Sequence, residues 1–107
     1  MTGKRIVLST CGSEAEAAKI GRYLVEHQLA ACVNIVPRIE SIYRWQGKVE
    51  SSAEWLLLIK TTTEKFAEVR DAIAELHSYD LPECIAIAIE DGNAEYLAWI
   101  GDSMGGS

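Results

Sequence analysis

No segment of this chain is apolar over the ~20 residues that a membrane helix requires, and its start, MTGKRIVLST, contains nothing of signal-peptide length. The chain is therefore expected to be soluble and cytoplasmic. No Lys/Arg cluster stands out either, and the net charge is −6. A phosphate backbone would be repelled, so nucleic acid is excluded as a partner and cations are the more natural ones. Cysteine is sparse: Cys11, Cys32 and Cys84 are an odd number at wide spacing, which fits reduced thiols better than a disulfide framework. There is no phosphate-cradling glycine loop and no oxyanion-hole glycine pattern. A Cys11 nucleophile with His77 as base would lack a third, orienting residue, and the chain is expected not to be an enzyme.

What the chain does have is one very long hairpin. Cys32 to Trp45 forms its outgoing arm, Gln46-Gly47 its turn, and the arm returning from Lys48 ends in the apolar run Trp55-Leu56-Leu57-Leu58-Ile59. Glycine supplies the positive φ of a two-residue turn, and β-branched and aromatic residues dominate both flanks. An arm of this length spans about 46 Å at roughly 3.3 Å per residue, against about 35 Å for a compact domain of this size. Its tip must bend back over the sheet, with Pro37 marking a bulge, or project beyond the body. Because the tip carries Tyr43, Trp45 and Val49, a projecting hairpin implies a neighbouring subunit.

The remaining elements fit around the hairpin. Lys4 to Thr10 reads as a strand, followed by a helix to about Gln28 with a capping box of Ser13 and Glu16 and a face of Ala17, Ile20, Gly21 and Leu24. Thr61 and Glu64 offer a second box before a helix with the stripe Phe66, Val69, Ile73 and Leu76. Pro82 ends that segment, and in Cys84 to Glu90 three isoleucines alternate with alanines. Ala94 to Gly101 closes the chain as a short helix with Tyr96, Leu97, Trp99 and Ile100 as docking residues. The reading is α+β: a ferredoxin-like βαββαβ sandwich with strand order 4-1-3-2, one domain over 1–102 and a flexible tail over 103–107.

Several runs carry a resemblance: LAACVNI, Ser41 to Lys48 (SIYRWQGK), Leu58 to Thr62 (LIKTT), Leu81-Pro82-Glu83 and Tyr96 to Ile100 (YLAWI). Together they resemble the CutA divalent-cation tolerance family over nearly the whole chain. The resemblance implies a homotrimer held by the long hairpins, similar in plan to PII signalling proteins, and a role in tolerance of copper and other divalent ions. It also implies a copper site built from a cysteine late in the first strand and two adjacent histidines before Pro-Tyr. Here the cysteine position holds Ser9, with Cys11 two residues on, and the histidine stretch reads Leu76-His77-Ser78-Tyr79.

Strand order alone places Cys11, His77 and Cys84 at one end of the sheet, where thiolate and imidazole suit copper or zinc. His77 and Cys11 are the candidate metal ligands, with Tyr79 or Glu83 orienting the ring. Cys11, beside a helix start, is expected to react with thiol reagents faster than Cys32, which is assigned to packing. Lys60, Tyr79 and Glu83 are candidates for a ligand cleft in the alternative reading, a PII-like regulatory or scaffold module that binds a small anionic ligand or a partner protein.

Overall fold

The computed structural model describes residues 2–105. Strand β1 (Lys4–Cys11) leads into helix α1 (Glu14–Glu26), and the hairpin strands β2 (Cys32–Trp45) and β3 (Lys48–Thr62) follow. Helix α2 (Phe66–Leu76), strand β4 (Ile85–Ala88) and helix α3 (Ala94–Ser103) complete the chain. The sheet is antiparallel with order β2-β3-β1-β4, the expected ferredoxin-like arrangement with the hairpin at one edge.

Gln46 and Gly47 take φ values of 49° and 80°, the doubly left-handed turn whose twist matches that of the strands it joins. One further irregularity bends the hairpin. Pairing slips between Val36↔Leu56 and Ile39↔Glu54, so β2 holds one extra residue beside Pro37, and Arg38 takes φ 53°. The bulge is present, yet it does not fold the tip back onto the body. The molecule measures 46 × 25 × 22 Å, and Ile42, Tyr43, Trp45 and Val49 remain exposed near the tip.

Side chains alternate across the sheet. Val7, Cys11, Leu57 and Ile59 face α1 and α2, where they are buried with Ile20, Leu24, Val69 and Ile73. Each such aliphatic side chain contributes about 1.5–3 kcal/mol on burial. Gly21 lets α1 sit close to β2, since a Cβ there would lie 3.2 Å from the Val33 side chain. On the opposite face α3 reaches the side chain of Lys4, whose Cε lies 3.6 Å from where a Cβ on Gly101 would sit. Register puts Ile6 beside Ile87 and Leu8 beside both Ile85 and Leu58 on that face. The isoleucines of β4 are half exposed there, while Ala86 packs toward the core.

Four local expectations are corrected. Ser13 does cap α1, accepting the Glu16 N–H at 3.1 Å, but the Glu16 carboxylate turns away to another partner described below. The second capping box does not form, because Thr61 belongs to β3 and donates its hydroxyl to the Leu29 carbonyl at 2.7 Å. In α3 only Leu97 and Ile100 dock, whereas Tyr96 and Trp99 face outward with ring centroids 5.4 Å apart. Helix α3 reaches Ser103 and Met104 is buried beside Ile100 and Ala31, so the packed body extends past the expected boundary at 102. Of the expected tail, Gly106 and Ser107 lie outside the described residues.

Candidate functional site

The chemistry collects where β1 ends and α2 ends. Because β1 directs alternate residues toward the helices, Cys11 is fully buried at its last position. His77 follows α2 as its C-cap, with an extended backbone that turns the ring inward. Its Nε2 lies 2.7 Å from the Thr10 carbonyl oxygen, and the Tyr79 N–H donates to its Nδ1 at 3.0 Å. A carbonyl only accepts and an N–H only donates, so the ring is the neutral tautomer with its proton on Nε2.

The third member is Glu16. Its Oε2 accepts the Ser78 N–H at 3.0 Å, and its Oε1 lies 3.8 Å from His77 Nδ1. Ligand atoms of Cys11, Glu16 and His77 all lie within 4.8 Å of one another. The sequence reading put Cys11, His77 and Cys84 at one end of the sheet; all three lie there, since Ile85 pairs with Leu8, but only Cys11 and His77 join in the donor group. Cys84 packs against the same core, where burial raises its thiol pKa against the lowering effect of Arg70. Glu16 was assigned only to capping; the acidic residue a helical turn past a buried cysteine was the available signal for it.

Burial, and then the nearby charges of Glu16 and Glu54, push the Cys11 thiol up to about 12. That overturns the expectation of a reactive Cys11 thiolate, because a helix N-terminus cannot compensate for exclusion from water. Cys32, the thiol assigned to packing, is less buried and donates to Asn34 Oδ1 at 3.6 Å.

Tyr79 links this cluster to the hairpin. Its hydroxyl donates to Glu54 Oε2 at 2.8 Å, and burial together with that bond raises its pKa. Gly12 makes room for the ring, since a Cβ there would lie 2.9 Å from the Tyr79 hydroxyl. Beyond Tyr79 opens a groove lined by Glu83, Tyr43 and Trp45 among others. Two of the three expected cleft residues, Tyr79 and Glu83, thus meet there. Lys60 does not: it pairs with Asn34 on β2, toward the opposite end of the sheet.

Residues 5–103 match the family model described as CutA1 divalent ion tolerance protein. The chain belongs to this CutA1 family. It is 49% identical over 102 residues to the divalent-cation tolerance protein CutA of Thermus thermophilus, covering 95% of this chain and 99% of that one. CutA from Xylella fastidiosa superposes with a TM-score of 0.93 at 41% identity, covering 95% and 98% of the two chains. CutA of Archaeoglobus fulgidus, described as a periplasmic divalent cation tolerance protein, superposes at 0.92 and 44% identity over 94% and 98%. CutA1 membership fixes the ferredoxin-like fold and a connection to divalent-cation tolerance.

Proposed function

We propose that the chain acts as a cytoplasmic homotrimer that takes up copper or another divalent ion at Cys11 and His77, with Glu16 as a third donor, and that it works by binding rather than by catalysis. One observation carries the metal reading: three donors of different chemistry converge within 4.8 Å. A metal-bound histidine usually donates its other ring N–H to a carbonyl or carboxylate, as His77 Nε2 does toward Thr10. The sulfur and nitrogen donors select copper or zinc over magnesium or calcium. Binding must remove the thiol proton and replace the Tyr79 N–H bond to Nδ1, so uptake releases a proton and strengthens with pH.

Assembly is supported by the exposed apolar residues of β4 and of the hairpin. Ile85 and Ile87 are 52% and 50% exposed on the face they share with Leu8 and Ile6, and Tyr43, Trp45 and Val49 are exposed on the hairpin. A cytoplasmic setting suits a chain whose three cysteines are all free thiols.

Equilibrium dialysis of the reduced protein against copper and zinc, read by elemental analysis, tests the metal reading. Saturable uptake of one ion per subunit, lost in His77→Ala, supports it. No uptake, or uptake unchanged by that substitution, contradicts it.

A further inference from the structure

Tyr79 is held at both ends. Its backbone N–H donates to His77 Nδ1 at 3.0 Å, and its hydroxyl donates to Glu54 Oε2 at 2.8 Å. Between these bonds its ring lies against the His77 ring, with centroids 4.6 Å apart. Its hydroxyl sits over Gly12, where a Cβ would come within 2.9 Å. The Ser78 N–H just before it is fixed by Glu16 Oε2 at 3.0 Å. This one residue therefore spans the space from the donor group to the hairpin.

What it reaches on the hairpin is the bend. Glu54 stands opposite Ile39, the first pair beyond the slip at Pro37 and Arg38, and Arg38 takes φ 53° there. A bulge bends its strand and increases the local twist, so a side-chain bond at its edge helps to set the direction of the outer hairpin.

At the other end, the bond cannot coexist with an ion. His77 donates through Nε2 to the Thr10 carbonyl, so Nδ1 carries the ring's one free lone pair. That lone pair serves either the Tyr79 N–H or an ion shared with Cys11 and Glu16, whose Oε1 lies 3.8 Å away.

We infer that Tyr79 couples occupancy of the donor group to the bend of the hairpin: with the donors free it braces the bend, and with an ion bound it leaves Nδ1 and its hold on Glu54 weakens. The inference rests on the metal reading and adds a response to it. Coupling between two sites is reciprocal, so whatever weakens the Tyr79 bond to Glu54 strengthens metal uptake. In the assembly proposed above, the outer hairpin carries Tyr43 and Trp45 to a neighbouring chain, and occupancy in one chain is thereby felt at its contact with the next.

Zinc titration of the reduced full chain, unmodified and as Tyr79→Phe, tests it together with amide hydrogen exchange followed by NMR. The substitution keeps the ring and the backbone N–H and removes the bond to Glu54. Zinc should bind about three- to tenfold more tightly to Tyr79→Phe, the range to which the net worth of one hydrogen bond converts. A side chain that merely supported the fold would leave the affinity unchanged or lower it. In the unmodified protein, zinc should speed exchange of the Tyr79 amide and of the amides flanking the bend several-fold. In Tyr79→Phe the bend amides should exchange fast already and gain nothing from zinc. Equal or weaker zinc binding to Tyr79→Phe, or bend amides unmoved by zinc in the unmodified protein, overturns the coupling and leaves the metal reading standing. No zinc uptake by either protein overturns both.

Discussion

His77 Nε2 meets the carbonyl oxygen of Thr10 at 2.7 Å across 67 residues of sequence, joining the end of α2 to the end of β1. Replacing His77 by Ala removes this bond and leaves the Tyr79 N–H without its acceptor. The expected cost is about 2 to 4 kcal/mol, the sum of a buried cavity and unsatisfied polar groups. Urea denaturation measures it, and a change below about 0.5 kcal/mol, the scale of ordinary surface substitutions, would show that the ring is not holding these segments together.

Ser9 gives the opposite sign. Its hydroxyl is fully buried and has no hydrogen-bond partner among the described residues. An unsatisfied buried hydroxyl costs about 1–3 kcal/mol, so Ser9→Ala should raise stability by about 1 kcal/mol after the small loss of packing. Thermal unfolding of the two proteins side by side checks this, and a lower midpoint for the variant contradicts it.

The fold was largely legible because its signals are local. Alternation, the Gln46-Gly47 turn and the apolar stripes specify strands and helices directly, and the strand order follows from a familiar βαββαβ pattern. The site was legible only in part. Cys11 and His77 were placed together by topology, but burial depth is a property of the assembled core, and it turned an expected reactive thiol into a neutral one. Glu16 escaped notice because a capping box explains the same residue, and only the arrival of Ser78 beside it redirects its carboxylate. In β4 the pattern showed that isoleucines and alanines lie on opposite faces, but it could not say which face the helices would cover.

Alkaline pH should expose the Cys11 thiol energetically. Its folded pKa, pushed up to about 12, lies above the ordinary thiol value of about 8.5, so the native state favours the neutral form. The contribution is fully present below about pH 8.5 and is lost as the pH rises toward about 12, at up to about 1.4 kcal/mol per unit. Denaturation of metal-free protein between pH 8 and 10.5 should show this slope, and Cys11→Ala should reduce it. An unchanged slope would assign the alkaline loss to other groups.

Thiol labelling reads the same burial by another route. Cys32 should be modified before Cys11 in the native protein, because Cys11 is fully buried with a neutral thiol. Mass spectrometry of partially alkylated protein identifies the sites, and Cys11 labelled first would mean that the end of β1 opens readily.

Light scattering at micromolar concentration should give three chains per particle. Ile87→Asp places a charge on the exposed face of β4 and Trp45→Asp places one near the hairpin tip, and each should shift the protein toward monomer. Burying Tyr43 or Trp45 on assembly contributes about 1.5–3 kcal/mol each. A monomeric unmodified chain would contradict assembly through these surfaces.

X-ray absorption at the zinc edge tests the metal site most directly, using a Cys32→Ser/Cys84→Ser protein so that Cys11 is the sole cysteine. The account predicts one sulfur neighbour at about 2.3 Å and nitrogen or oxygen neighbours at about 2.0–2.2 Å. A shell of nitrogen and oxygen alone would contradict it, placing the ion away from Cys11.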